Sequence, residues 1–335
     1  MKTIKTLAFA AAALFVVASC EKSAPVSDAV VGFETDANEY VLEAGPNFEV
    51  PISVTGSNIA YPFTITVNSL PETEENGYSE RNVDYRFIDR EIVVESPTDK
   101  PVVVVRVINS DIETLKMGIE IKAVSNGTVA TTTTEVFAQP AAYYLAGEYT
   151  ASGLNMGEPY AETWVFDAYD VNTVELWGIL GMTPENGASY GVMGVSNYDV
   201  ESGNTVANIV FGVENFVGMA MSGSALILYS PMIADLSDGS IYNNVPVDFV
   251  YKDGTMTMQI PSAIVRPAIT IAKINYLTDS FMGNSGILEV SSITPGPAPA
   301  PSVAAPASVE FVKDADIVKN YLPKKDVQMT VVGKL

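Results

Sequence analysis

The sequence predicts an all-β protein in which a β-sandwich precedes an antiparallel β-barrel or a second sandwich. Three observations favour this fold class. Short stretches in which every second residue is apolar recur along the chain, as in strands that bury one face. Clusters of Gly, Pro, Asn and Asp separate these stretches and indicate turns. The 335 residues are 47% hydrophobic, which suits folded domains with ordinary cores, and a chain of this length normally forms two of them.

The first unit is predicted over residues 30–139. Val50, Ile52 and Val54 alternate with more polar neighbours, and the same pattern recurs at 63–67. Residues 91–95 and 101–108 are further candidate strands, and the second is apolar on nearly both faces, as expected of a central strand. About six or seven short strands over this length predict an immunoglobulin-like sandwich.

Four sequence stretches of this unit resemble the Calx-β domain family. They are VGFE at 31–34, VLEAG at 41–45, NVDY at 82–85, and VRVI at 105–108 followed by NSDIE at 109–113. In the calcium-binding members of that family, acidic residues collect at one end of the sandwich. The resemblance therefore implies Glu43, Asp84 and Asp111 as candidate calcium ligands, with Glu113 as a fourth.

This chain departs from the family where paired acids are expected, because Asn109 and Ser110 stand there instead. Calcium takes six to eight oxygen ligands, and its affinity falls as carboxylates are lost. The alternative is that Glu43 and Asp84 serve turns and backbone capping, and that the unit is a spacer without an ion. We expect no cofactor, and weak calcium binding at most.

The second unit is predicted over residues 143–293, and it opens with a strand pattern at Tyr143. The strongest local signal is a hairpin, in which Val247, Phe249 and Tyr251 alternate before the turn Asp253-Gly254. About eight strands are expected, enough for a barrel or two packed sheets. The other apolar stretches lie at 163–166, 174–179, 190–195, 205–211 and 225–229.

The second unit resembles the lipocalin-like modules of Bacteroidetes-type surface lipoproteins. The resemblance rests on Leu-x-Gly-x-Tyr at 145–149, a second strand with Trp164, and Tyr-x-Asp-Gly-Thr at 251–255. A barrel of this size holds one small ligand or is filled by side chains. Trp164, Trp177 and Tyr190 are candidate stacking platforms for sugar rings or walls of a ligand cavity. The alternative is that both tryptophans belong to the core.

Residues 1–20 form a candidate export signal. Lys2 and Lys5 precede a short apolar run, which is too short to span a bilayer, and small residues lead to Cys20, the single cysteine of the chain. This segment resembles the lipobox of bacterial lipoproteins. The resemblance implies cleavage after residue 19, acylation of Cys20, a tether over 20–29 and anchoring to the outer membrane, with surface or periplasmic display left open.

Charge and composition exclude several classes of function. The net charge of −22 makes a nucleic-acid partner implausible, because such a surface repels phosphates. The chain has no histidine, so catalytic arrangements that need histidine and zinc sites built on it are impossible. A hydrolase that uses two carboxylates is still compatible with the sequence, because the 40 acidic residues cannot exclude such a pair.

The C-terminal region divides into a Pro/Ala linker over 294–308 and a tail over 309–335. Asp314 is a candidate cap for a short helix, and Val327, Met329 and Val331 alternate as in a strand. The tail is too short to form its own core. It is therefore expected to dock on the body, and the alternative is recruitment of a partner by strand addition.

Three functions remain after these exclusions. The first is a lipid-anchored binding or scaffold lipoprotein without catalysis, accessory to capture of a glycan or nutrient or to adhesion. The second is a carrier that holds a small lipophilic ligand in the second-unit barrel. The third is a carboxylate-dependent hydrolase. A filled barrel would argue against the carrier.

Overall fold

The computed structural model describes residues 27–109, 112–252, 254–298 and 328–335. The predicted all-β fold class is confirmed, since strands dominate both units and the longest helix has five residues among those described. Within these residues no helix is long and apolar enough to cross a membrane. Cys20, Asp111, Asp253 and most of the predicted linker and tail lie outside them.

Among the described residues, ten strands form the first unit and arrange into two five-stranded sheets, in the orders β5-β7-β3-β1-β9 and β2-β10-β8-β4-β6. The strands are β1 (Val30–Phe33), β2 (Ala37–Val41), β3 (Asn47–Thr55), β4 (Phe63–Ser69), β5 (Tyr85–Phe87), β6 (Glu91–Val94), β7 (Val102–Val107), β8 (Leu115–Val124), β9 (Thr128–Val129) and β10 (Thr133–Gln139).

The sandwich core follows the alternation of the sequence. Val50 and Ile52 on β3 face Phe63 and Ile65 on β4 across one hydrophobic core, and all four side chains are buried. The chain crosses from the first sheet to the second between β1 and β2. In the first sheet β1 pairs in parallel with β9, and in the second β2 pairs in parallel with β10. The first two strands of the unit are thus paired with its last two.

In the part of the chain that the structure describes, thirteen strands follow a short helix, α1 (Ala141–Leu145), and form the second unit. They are β11 (Gly147–Asn155), β12 (Glu158–Asp170), β13 (Thr173–Trp177), β14 (Val192–Asp199), β15 (Asn204–Phe211), β16 (Gly218–Ser222), β17 (Ala225–Asp235), β18 (Ser240–Asn243), β19 (Val245–Lys252), β20 (Thr255–Gln259), β21 (Pro267–Asn275), β22 (Ser280–Pro295) and β23 (Thr330–Lys334).

Eight of these strands close a barrel in the order β11-β12-β13-β14-β15-β19-β20-β22, and β22 pairs back onto β11. Every pairing in this ring is antiparallel. Gly153 lies at a register shift between β11 and β22, and a Cβ there would lie 1.8 Å from the carbonyl oxygen of Glu289. Glycine is therefore needed for the strands to close the ring.

A second sheet branches from the barrel because β22 is long enough to pair with strands of both structures. Its C-terminal half pairs with β11, whereas its N-terminal half pairs with β21. From β21 the sheet continues through β17 and β18 to β23, and β16 pairs with β17. We call this branch the side sheet.

The side sheet separates two hydrophobic cores. Ile233 on β17 and Ile271 on β21 face the barrel and join its core. Met232 and Ile274, from the same two strands, point the other way and form a smaller core with Phe216 and Ile241. The side sheet is thus apolar on both faces, although only one of them packs against the barrel.

The structure differs from the sequence prediction in four places. The first unit has ten strands among the described residues, where about six or seven were expected. A strand pattern was expected from Tyr143, but residues 141–145 form the helix α1, because Pro140 precedes them and the helix packs Ala142 and Leu145 into the barrel core. The stretch 174–179 ends its strand at Trp177 and continues as a 3₁₀ turn, Ile179–Gly181. The second unit also holds more strands than the eight or so predicted, since the side sheet was not anticipated.

The two units meet at α1. Glu43, in a 3₁₀ turn of the first unit, accepts hydrogen bonds from the backbone nitrogen of Ala141 at 3.0 Å on each carboxylate oxygen. One turn later, the Tyr144 hydroxyl donates to the backbone oxygen of Tyr40 at 3.0 Å. Burial and the nearby Glu39 raise the pKa of Tyr144 to about 12, so this hydroxyl keeps its donor proton at neutral pH.

Candidate functional site

Aromatic side chains fill the interior of the barrel. Trp164 and Phe166 on β12 pack edge to face against Phe249, with ring centroids 6.1 Å and 5.3 Å apart. Tyr149 packs on Phe166 at 5.5 Å, and Phe211 lies 6.4 Å from Phe249. This cluster occupies the space in which a carrier would hold its ligand.

Trp164 is therefore a core residue and not a stacking platform. Its side chain is fully buried, so no sugar ring can reach it. Its indole nitrogen donates to Glu162 Oε1 at 2.7 Å. The hydrogen bond satisfies the only polar atom of the side chain, as burial of a tryptophan requires.

Glu162 is a buried carboxylate that the sequence analysis did not single out. Oε1 also accepts from the backbone nitrogen of Leu180 at 2.8 Å, and Oε2 accepts from the Tyr160 hydroxyl at 3.0 Å and from the backbone nitrogen of Gly181 at 3.1 Å. Leu180 has a left-handed backbone (φ 50°), which aims these two adjacent N–H groups at one carboxylate. Burial nevertheless raises the pKa of Glu162 to about 7, although all four donors favour the ionised form.

The other two predicted aromatic residues lie outside the barrel interior, and both are half-buried. Trp177 lies over Gly191, where a Cβ would come within 2.9 Å of its indole ring, and Glu175 accepts a hydrogen bond from the Gly191 nitrogen at 2.8 Å. Tyr190 packs edge to face on Phe216 at 5.4 Å, next to the smaller core. The structure thus places Trp164 and Tyr190 against different cores.

The candidate calcium ligands Glu43 and Asp84 accept hydrogen bonds from backbone and side-chain amide groups. Both oxygens of Glu43 accept from Ala141, as described above. Asp84 accepts from the Glu80 nitrogen at 2.8 Å and from the Asn109 side chain at 3.0 Å, so it closes its turn. These contacts match the turn and capping roles, while Asp111 lies outside the described residues. In the part of the chain that the structure covers, no three His, Cys, Asp or Glu side chains are grouped so as to hold a metal.

An open groove over the smaller core is a candidate binding site. It encloses about 440 Å³ on the face of the side sheet that points away from the barrel. Its apolar lining comes from the segment before β16, from β17 and β21, and from the C-terminal strand: Val213, Phe216, Leu228, Met232, Ile274 and Val332. This volume is in the range of small-ligand sites.

The rim of the groove is polar and acidic. The exposed acidic side chains of Glu214 and Asp279 lie at the rim, and Asn243 and Tyr276 lie there as well. Asn243 Oδ1 accepts from the Val213 nitrogen at 2.8 Å, which holds the segment before β16 against β18. Among the described residues, no Lys or Arg lines the groove, and no ion pair involves Glu214 or Asp279.

The sequence pattern did not indicate this groove, apart from its neighbour Tyr190. Its lining residues extend from Val213 to Val332 and come together only through the pairings of β17 with β21 and of β18 with β23. The one local signal is that β17 is apolar on both faces, which indicates a strand covered on both sides.

No protein-family model matches this chain, and no curated protein is similar enough to match it. One solved structure, a crystal structure at 2.40 Å of a protein of unknown function from Bacteroides ovatus, aligns with 81% of this chain and 100% of its own at 9% sequence identity and a TM-score of 0.33.

Proposed function

We propose that this protein is a lipid-anchored binding lipoprotein of the cell envelope, without catalysis, whose second unit binds its ligand in the groove of the side sheet. The observation that carries the proposal is the contrast between the two candidate volumes of that unit. The barrel interior is packed with aromatic side chains, whereas the groove beside it is open and apolar with a polar rim.

The anchor is part of the same proposal. Residues 1–20 resemble a lipoprotein signal ending in Cys20, and acyl chains on this residue would hold the protein at the outer membrane. The first unit then serves as a spacer. The contacts from Glu43 to Ala141 and from Tyr144 to Tyr40 support this role, because they tie the spacer to the unit that bears the groove.

The two alternative functions find less support. A lipophilic carrier needs an interior cavity, and the cluster around Phe249 fills the barrel. A hydrolase needs two facing carboxylates that reach the substrate. Glu162 has the raised pKa of a candidate acid, but it is 7% exposed and occupied by four donors.

A binding screen tests the proposal. The full-length chain, purified in detergent, is applied to a glycan array and a peptide array, and bound probes are checked for cleavage by mass spectrometry. We expect retention of intact probes that Tyr276→Ser weakens, because Tyr276 stands at the groove rim. Tyr169→Ser is the matched control, since Tyr169 is an exposed tyrosine on β12 of the barrel.

Two outcomes would overturn the proposal. Cleaved probes would assign catalysis to the protein. Retention that is unchanged by Tyr276→Ser, but is lost with Tyr169→Ser, would place binding on the barrel and not in the groove.

A further inference from the structure

The chemistry of the groove restricts what it can bind, given that it is the binding site proposed above. Its floor is made of aliphatic, methionine and phenylalanine side chains, of which Phe216, Leu228, Met232 and Ile274 are all buried. An apolar ligand group that lies on this floor removes its own apolar surface from water. A sugar ring would bring hydroxyl groups to a floor that has no polar partners for them.

The charges at the rim add a second restriction. Glu214 and Asp279 are exposed acidic side chains on different segments, one before β16 and one at the turn between β21 and β22. Neither takes part in the ion pairs formed among the described residues, and the chain carries a net charge of −22. A ligand with positive charge is attracted to such a rim, and one with negative charge is repelled.

The surface next to the groove extends the apolar area. Tyr276 at the rim is 48% exposed, and the adjacent Leu277 is 76% exposed. Large apolar side chains exposed together beside a groove are typical of surfaces that contact a protein. An extended segment of a partner can cover both the groove and this adjoining turn, which a single small molecule cannot do.

We infer that the groove binds a peptide segment of a partner protein that carries an apolar side chain next to a lysine or arginine. The apolar side chain occupies the floor over Met232 and Ile274. The basic group lies between the carboxylates of Glu214 and Asp279. The inference rests on the proposed function and specifies its ligand.

Peptide display tests the inference. The full-length chain in detergent is immobilised, and a library of random twelve-residue peptides is selected on it at 50–150 mM salt, on the order of physiological ionic strength. Enriched peptides are synthesised, and their affinity is measured by fluorescence anisotropy. We expect sequences that combine basic and large apolar residues, with binding that weakens as salt rises.

A matched pair of double variants locates the binding. Glu214→Gln with Asp279→Asn removes both rim charges, and asparagine suits the left-handed backbone at position 279 (φ 50°). Glu158→Gln with Asp167→Asn removes two exposed acids from β12 and is the control. We expect about tenfold weaker binding for the rim variant, as for the loss of close charge pairs, and no change for the control.

The outcomes separate this inference from the proposed function. Enriched peptides that are acidic, or whose affinity the rim variant leaves unchanged, would overturn the inference. Selection without enrichment, together with glycan binding that depends on Tyr276, would overturn it as well while the binding function stands. Loss of peptide binding with Glu158→Gln and Asp167→Asn instead would place the site on the barrel and overturn both.

Discussion

The indole nitrogen of Trp164 donates a 2.7 Å hydrogen bond to Glu162, two residues earlier on the same face of β12. The same carboxylate holds the backbone nitrogens of Leu180 and Gly181 in the turn that follows β13. A single buried acid therefore connects the aromatic centre of the barrel to a strained turn. The protonation state of Glu162 therefore depends on how the folded barrel buries it.

The first prediction concerns this carboxylate and pH. Burial raises the pKa of Glu162 from 4.5 to about 7 in the folded protein, so the folded state binds its proton more tightly than the unfolded state. The stabilising contribution is complete below pH 4.5, decreases as the pH rises to 7, and is absent above 7. The change is about 3 kcal/mol, at ~1.4 kcal/mol for each unit of pKa.

Urea unfolding at pH 4.5, 5.5, 6.5 and 7.5 measures how the unfolding free energy changes with pH. The chain has no histidine, so no imidazole titrates in this window. Glu162→Gln cannot ionise, and we expect it to flatten the pH dependence of the unfolding free energy. An equally steep slope in Glu162→Gln would show that another group is responsible.

The second prediction concerns the junction of the two units. Glu43→Ala removes the acceptor for the Ala141 nitrogen at the start of α1. We expect the unfolding free energy to fall by about 1 kcal/mol, the usual value for a lost helix cap. Hydrogen exchange should become faster over 141–145.

Glu34→Ala is the control for this change, because Glu34 is an exposed acid of the same unit. Equal exchange over 141–145 in both variants would mean that Glu43 does not hold the helix.

The third prediction concerns calcium. Glu43 and Asp84 already accept hydrogen bonds on both of their oxygens, so a cation would compete with these donors. We expect calcium to bind only in about the millimolar range, as in weak extracellular modules, and a chelator to leave the melting temperature almost unchanged. A decrease of more than ~5 °C, which is about 1 kcal/mol for a domain of this size, would instead indicate a structural calcium site.

The fourth prediction concerns the C-terminal strand. β23 pairs with β18 at the edge of the side sheet, and Val332 packs against the smaller core while Val331 is 54% exposed. Val332→Asp should destabilise the second unit by about 1–3 kcal/mol because it buries a carboxylate among apolar groups. Val331→Asp, one residue away on the opposite face, should change the melting temperature little. Equal effects of the two substitutions in differential scanning calorimetry would show that β23 does not pack against this core.

The fifth prediction concerns the anchor. Cys20→Ala removes the thiol that lipidation requires, so we expect an uncleaved or misrouted precursor and release of the protein from the membrane fraction. Metabolic labelling with a radioactive fatty acid, followed by fractionation, measures both effects. Cys20→Ser is a control that preserves size and polarity and should behave in the same way. Wild-type protein that carries no label would end this prediction.

Local patterns in the sequence were sufficient for the fold class. Val50, Ile52, Phe63, Ile65 and Val67 are buried as the period of two requires, and Val54 is half-buried against the same core. The alternation from Val247 to Tyr251 forms one arm of the predicted hairpin. In the tail, Thr330–Lys334 forms a strand on the second unit, but the predicted alternation put Val331 on the apolar face, whereas Val332 packs against the smaller core and Val331 is exposed. Strand alternation depends on neighbouring residues alone, so it can be read without knowing the partner of the strand.

The tertiary structure alone decided the location of the candidate site. The groove joins residues as distant as Phe216, Ile274 and Val332, and the side sheet exists because the two halves of β22 pair with different strands. Glu162 is one of 40 acidic residues, and its pKa is raised only because the folded barrel buries it. Burial and long-range strand pairing set these properties, and neither can be derived from the order of neighbouring residues.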